Sequence, residues 1–563
     1  MILMFETKIV SAMEKCFIHQ TPSEFAEIKR LRMYKNEKAA IQLLVYDDAD
    51  SWNAVRVFRF EVEGALSPYT KISAVENIPN YLPTPVTPKL AMESDPAFLN
   101  GAKPGLYPDL LHPLIHDGCY AFCQQQLRAM WFEFNPCENL EPGVYEIKLR
   151  ITHKDGYYVK EIPFTVEILP ASLPSEDHIC TNWFYADCLA DYYEVEPFSD
   201  KHFEICENFI KTAVESGINM ILTPVFTPPL DTAQGGERTT TQLIGVTVEN
   251  GKYTFDYTLF DRWARICDRC GVKYFEISHL FTQWGALHAP KIMATVDGEY
   301  KRLFGWETDS IGEEFVTFIR QFLTEFTEYI EKKGLKDRTY FHISDEPNEK
   351  HVERYMQNRE NIVDILKGFK SLDALSHVEY YQKGLIEVPV PSESRIEDFM
   401  AEDIEERWVY YCCGPWTKAT NRFFVQSGAR TRSLGMQMYK YGIKGFLHWG
   451  YNYYNSQFSD EPFNPFLNAN LGYWGSAGDG YIVYPGRSGK AWESIRLYYM
   501  YKAFEDIRVL RLCESFYGKD KVVAEIEAVY GKTLTFEECA DESALMQKIR
   551  DRIDDLIIEA LNK

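Results

Sequence analysis

The segment best equipped for chemistry is Thr339-Tyr340-Phe341-His342-Ile343-Ser344-Asp345-Glu346-Pro347-Asn348, an aromatic run that ends in two adjacent carboxylates and a proline. Two carboxyls held close cannot both ionise easily, so one pKa rises and an acid stands beside a base. Cleavage of a glycosidic bond asks for such an acid, because one group must protonate the leaving oxygen. Strand neighbours point to opposite faces, so Asp345 and Glu346 can share a pocket only where the chain leaves regular extension. Pro347 is expected to hold Glu346 in an extended or polyproline conformation. The competing reading of the same residues is an Asp-Glu-Pro helix cap on a loop.

The surrounding elements must bring such a pair to a pocket. From about residue 178, short apolar stretches alternate with amphipathic ones, the pattern of βα units around a parallel sheet. Strands are expected at His178 to Asp187, Ile218 to Val225, Val272 to Ser278, Thr339 to Asp345, Val378 to Gln382, Leu385 to Val390, Trp408 to Cys413 and Gly445 to Trp449. Helices are expected between them, at Lys201 to Ser216, Tyr257 to Cys270, Ile311 to Lys333 and Ala429 to Tyr441. Eight repeats predict an α/β fold, a (β/α)8 TIM-type barrel over residues 173–515, with its chemistry where the strands end. Glu387, Pro389 and Pro391 make the sixth strand the least regular.

Before the barrel, Val55 to Val62, Val144 to Ile151 and Ile162 to Leu169 alternate with period two, which predicts an N-terminal β-sandwich over residues 1–172. Pro170 to Ser175 is expected to link the two. Residues 516–563 are expected to form a C-terminal helical extension on the barrel, with Ala544 to Leu561 clearly amphipathic.

Asp345 and Glu346 fall at the end of the fourth strand. A conventional retaining barrel carries its nucleophile on a later strand, yet Trp408 to Pro415 and Gly445 to Asn452 contain no carboxylate. An acid with one neighbouring carboxylate and no nucleophile can use the 2-acetamido group of the substrate instead. That selects an N-acetylhexosamine.

Residues 178–512 resemble the catalytic domain of glycoside hydrolase family 123, a domain also widely described as one of unknown function. The matching segments are Glu276 to Gly285, His342 to Pro347, Leu447 to Asn452, Gly478 to Gly486 and Ser494 to Leu497. The resemblance implies a retaining β-N-acetylhexosaminidase of the β-N-acetylgalactosaminidase type. It implies further that Asp345 orients and polarises the 2-acetamido group, while Glu346 acts as acid and then base through an oxazoline. Two rivals stand beside it: a conventional two-carboxylate glycosidase pairing Glu346 with Glu276 or another nucleophile on a non-acetamido sugar, and a non-catalytic carbohydrate-binding protein.

Candidate substrate-binding residues are His279, Gln283 and Trp284 after the third strand, Trp449, Asn452 and Tyr453 after the eighth, and Asp479 with Tyr481 in a glycine-flanked loop. Each competes with core packing or a plain turn, and Glu276 and His342 read better as buried structural residues. Cys267 and Cys270 have metal-like spacing but lack a second pair, and Gly235-Gly236 lacks the spacing of a phosphate loop. No metal or cofactor is therefore expected.

A net charge of −23 argues against nucleic acid and anionic membranes. The aromatic content, 11 Trp, 36 Tyr and 36 Phe, suits both a large core and platforms for sugar rings. Glu6 interrupts the opening apolar residues too early for a secretory signal, and 13 cysteines without framework spacing read as reduced thiols, so a cytoplasmic enzyme acting on imported oligosaccharides is expected.

Overall fold

A computed structural model describes residues 5–49, 55–84, 102–114, 118–156, 158–472 and 475–563. Its amino-terminal part is β-rich. One five-stranded sheet runs Phe5–Ser11, Ala39–Asp47, Arg128–Phe134, Thr70–Asn80, Gly105–Pro113, and the other Arg30–Tyr34, Val159–Leu169, Gly143–His153, Val55–Glu63, Cys119–Cys123. The inward residues of the two sheets share one core, in which Ile41, Leu43 and Phe132 meet Phe60, Leu149 and Val166. The second sheet shows the period-two alternation seen in the sequence, whereas Ala39–Asp47 and Arg128–Phe134 of the first are buried on both faces, the second face against Ile495 and Tyr498.

The larger part is a nearly closed eight-stranded parallel barrel. In chain order its strands are Ile179–Asn182, Met220–Thr223, Tyr274–Ile277, Thr339–His342, Lys370–Ala374, Val388–Val390, Trp408–Tyr410 and Gly445–His448. The first pairs with the last, Ile179 opposite Gly445. Between the sixth and seventh the ladder shrinks to one bond, from Tyr410 N–H to the Pro391 carbonyl at 3.0 Å, as the prolines there dictate. Helices such as Asp200–Glu215, Thr258–Cys270 and Glu313–Lys332 cover the outside.

Three expectations need correction. The fifth strand is Lys370–Ala374, paired with the fourth from Tyr340 opposite Lys370, whereas Val378 to Gln382 holds the short helix Glu379–Gln382. The aromatic and β-branched run imitated a strand, while the true one is disguised by the exposed Lys370 and by Ser371 and Asp373, whose polar groups find partners inside the protein. Asn182 ends the first strand, and Ala186–Tyr192 is already helical. The single helix expected at Ala429 to Tyr441 is two, Gly428–Arg432 and Leu434–Tyr441.

Helix Ile495–Tyr517 runs through residue 515 and ties the parts together. Ser494 caps it, accepting from Leu497 N–H at 3.1 Å, and Arg496 forms a buried two-pronged ion pair with Asp109 of the β-rich part at 2.7 and 2.9 Å. Helices Lys519–Tyr530 and Ser543–Leu561 pack with it against Tyr34 and Leu169 on one side and Met436 and Tyr439 on the other. Among the described residues no helix is long and apolar enough to cross a membrane.

Candidate active site

A cavity of about 370 Å³ opens where the barrel strands end. Trp183 follows the first strand, Leu230 and Asp231 the second, Gln283 and Trp284 the third, Asp345 and Glu346 the fourth. Ala374 ends the fifth, Tyr410 the seventh with Cys412 and Cys413 just beyond, and Leu447 and Trp449 come from the eighth. Tyr185, Gln457, Phe458 and Asp479 complete the wall. Seven of the eight strand ends thus converge on one space, the position at which barrels place their chemistry.

Asp345 and Glu346 both reach this cavity because the chain breaks from extension between them. Glu346 has φ +43°, a left-handed conformation, so the expected restraint by Pro347 to extended geometry is wrong. Two backbone bonds impose the turn: Glu346 N–H donates to the Ala374 carbonyl at 3.0 Å and Trp284 N–H to the Asp345 carbonyl at 2.9 Å. Asp231 (φ +41°), Trp284 (+57°) and Phe458 (+60°) line the same cavity in the same conformation. Each costs roughly 1–2 kcal/mol for a residue other than glycine, and such strain concentrates at functional sites.

The electrostatics raise both carboxyl pKa values. Burial, then the neighbouring Glu346 and Asp373, push the Asp345 pKa well above the usual carboxylate range. Glu346 opens onto the cavity, yet the protein crowded around its carboxyl raises its pKa as well, against the hydrogen bond from the Tyr410 hydroxyl at 2.8 Å, which lowers it. Such a pair titrates as one unit, holding a proton to higher pH than either carboxyl alone. Across the cavity, burial lifts Asp479 to about 7. Its Oδ1 accepts from Trp449 Nε1 at 3.0 Å, and its Oδ2 has no hydrogen-bond partner among the described residues.

Beneath the cavity lies a closed polar network. Glu276 accepts from Thr181 Oγ1 at 2.5 Å and Trp183 Nε1 at 2.8 Å and meets His342 Nδ1 at 2.9 Å. The other nitrogen of His342 faces Asp373 Oδ1 at 3.2 Å. Asp373 also accepts from the N–H groups of Ile343 and Ser344 and from the Tyr355 hydroxyl, and burial raises its pKa to about 6. The turn after the fourth strand is thereby fixed from below. His279, His342 and Asp345 offer ligand atoms within 4.8 Å of one another. They fit a metal poorly, because His342 already faces a carboxylate at each nitrogen.

Of the residues singled out in the sequence, Asp345, Glu346, Gln283, Trp284, Trp449 and Asp479 line the cavity. Four others lie outside its lining. His279 is buried beneath it, stacked on His342 at 3.8 Å. The Asn452 side-chain amide accepts from Tyr185 N–H and donates to the Tyr185 carbonyl, Tyr453 holds Asp231 by its hydroxyl at 3.0 Å, and Tyr481 donates to the Pro465 carbonyl. The sequence reading passed over Trp183, Tyr185, Asp231, Tyr410 and Phe458. Tyr410 carried a signal, being the last residue of a correctly placed strand. Asp231 and Phe458 sit on long loops without periodicity and gave none. In Gly478-Asp479-Gly480, a Cβ on Gly480 would come within 2.3 Å of Leu471, and Gly478 has φ +101°. The glycines therefore serve close packing of the loop that aims Asp479 inward.

Comparison with known proteins bears on the family and the fold. The family description "Glycoside hydrolase 123, catalytic domain" matches residues 183–513. A family 123 glycoside hydrolase from Clostridium perfringens, whose structure was analysed for the details of glycolipid glycan hydrolysis, is similar over 99% of this chain and 98% of its own, with a TM-score of 0.74 and 15% identity. A β-glucuronidase from Parabacteroides merdae shares 11% identity over 89% of this chain and 51% of its own, with a TM-score of only 0.32. No curated protein matches in sequence.

Proposed function

This chain belongs to glycoside hydrolase family 123 and is a glycoside hydrolase, and on that premise we propose that it removes a terminal β-linked N-acetylhexosamine, N-acetylgalactosamine first, with retention through an oxazoline. Glu346 protonates the leaving oxygen while the carbonyl oxygen of the 2-acetamido group attacks the anomeric carbon. Asp345 accepts the amide N–H and stabilises the charge that develops on the ring so formed. Glu346, now a carboxylate, takes a proton from the water that opens the oxazoline, which returns the enzyme to its starting state. The scaffold reads as a (β/α)8 catalytic barrel over residues 173–515, buttressed by a β-sandwich over 1–172 and a helical extension over 516–563. Thirteen free thiols favour a reducing, cytoplasmic setting.

The observation that carries this reading is the pairing of Asp345 and Glu346 in one cavity while Glu276, the alternative nucleophile the sequence offers, is held by three partners beneath it. The Trp183, Trp449 and Tyr185 rings in the wall suit the C–H faces of a sugar, and the free oxygen of Asp479 suits a hydroxyl. The test is release of 4-nitrophenol from the β-N-acetylgalactosaminide, the β-N-acetylglucosaminide and the β-galactoside by wild type, Asp345→Asn and Glu346→Gln. Turnover of an acetamido sugar alone, lost in both variants, is expected; turnover of the plain galactoside by Asp345→Asn would sink the mechanism.

A second reading is favoured by one fact: Asp231 and Asp479 also line the cavity. Either could serve as the nucleophile of a conventional glycosidase on a sugar without the acetamido group. A thiazoline analogue of N-acetylhexosamine separates the two, because only a site that binds the closed oxazoline ring inhibits strongly with it.

A further inference from the structure

The wall beside Glu346 contains two adjacent thiols. The seventh strand ends at Tyr410, and Cys412 and Cys413 follow it into the cavity. Neighbours on an extended strand would point to opposite faces. Here the chain turns instead, with Cys412 N–H bonded to the Gly414 carbonyl at 3.1 Å. The carbonyls of both cysteines are anchored, that of Cys413 by Trp416 Nε1 and that of Cys412 by Asn421 Nδ2, each at 3.1 Å. The two Sγ atoms are left 3.8 Å apart, and both residues are half-buried rather than sealed in the core. A hydrogen bond to Cys413, burial, and the charges of Cys413, Glu346 and Asp479 push the Cys412 thiol pKa well up, so it rests as a thiol.

We propose that Cys412 and Cys413 form a modification site for a low-molecular-weight disulfide, such as oxidised glutathione, which converts them to a vicinal disulfide and reversibly lowers turnover at Glu346. Cys413, deprotonated to its thiolate, attacks one sulfur of the oxidant and expels the first small thiolate. Cys412 gives up its proton to solvent, attacks Cys413 Sγ and expels the second. Two protein thiols are oxidised, one small disulfide is reduced to two thiols, and no other reactant is needed. Closing the ring draws the sulfurs from 3.8 Å to about 2 Å. That movement must be taken up by the turn beside Tyr410, the residue whose hydroxyl holds Glu346.

The full-length protein is incubated with oxidised glutathione, then peptide-mapped and assayed on the 4-nitrophenyl glycoside it hydrolyses fastest. The peptide holding both cysteines is expected to lose two hydrogens without a lasting glutathione adduct. Turnover falls about tenfold or more in step with that loss, as displacement of a catalytic group by ångströms allows, and both changes reverse with dithiothreitol. In Cys413→Ser, whatever its own rate, the rates before and after oxidant are equal. A pair that stays reduced, or that stops at a mixed disulfide, overturns the proposal, as does a ring that forms with turnover unchanged. The mass change is read without substrate, so failure of the sugar assignment leaves it intact.

Discussion

The Tyr410 hydroxyl donates to Glu346 Oε1 across 2.8 Å, joining the end of the seventh barrel strand to the turn after the fourth. The bond favours the carboxylate form and lowers the Glu346 pKa against the burial that raises it. Tyr410→Phe removes the first effect and leaves the second, so the Glu346 pKa rises further. If Glu346 is the general acid, the alkaline limb of the kcat profile moves to higher pH in this variant, with kcat down about tenfold for a lost hydrogen bond to a charged group. Profiles of both proteins decide it; an unmoved limb would assign the acid elsewhere.

Glu276 sits as a keystone beneath the cavity. Fully buried, it takes bonds from Thr181 and Trp183 and faces His342. Glu276→Gln replaces one carboxylate oxygen among Thr181, Trp183 and His342 by an amide NH2 and is expected to cost about 1–3 kcal/mol of stability, the range for a buried polar group that loses its hydrogen bond. Chemical denaturation measures that loss. Independently, a 2-deoxy-2-fluoroglycosyl fluoride should leave Glu276 unlabelled, whereas a labelled Glu276 peptide would restore the conventional mechanism.

The barrel was legible because seven of its strands are short apolar runs between helical stretches. The fifth was not, since it opens on the exposed Lys370 and Asp373 looks like a surface residue until its partners, the N–H groups of Ile343 and Ser344, are known. The carboxylate pair stood out for its chemistry, but the left-handed turn at Glu346 did not, because it is imposed by Ala374 from a strand the sequence hid. Family segments also mix roles that spacing cannot separate. Asp345 and Glu346 line the cavity, yet Arg496 in another such segment is buried far from solvent, pairing with Asp109.

Asp479 makes stability depend on pH. Its folded pKa of about 7 lies above the ordinary value of 3.8, so the folded state binds this proton more tightly than the unfolded one. The resulting stabilisation is complete below about pH 4 and lost as pH rises through about 7. Asp479→Asn keeps the shape and an acceptor for Trp449 while abolishing the ionisation. Melting temperatures should coincide for the two proteins at about pH 3.5, below the unfolded value, and at pH 8 the variant should melt higher by roughly a few degrees. Equal melting at pH 8 would mean that the charged form is solvated as well in the fold as outside it.

Trp284 and Phe458 meet edge to face at 6.0 Å in the cavity wall, 42% and 37% exposed, large apolar surface left open to water. Both sit at positive φ, near +57° and +60°, so the backbone is strained to present them. Core packing does not account for rings held outward at such a cost, whereas contact with bound substrate does. Trp284→Ala should raise KM roughly three- to tenfold, the worth of one aromatic contact, with kcat little changed. Phe458→Gly should raise KM similarly while melting no lower than Phe458→Ala, because glycine adopts the left-handed conformation without a Cβ penalty. Steady-state kinetics and melts of the three variants check both halves, and a fall in kcat at constant KM would place these rings in the chemistry instead.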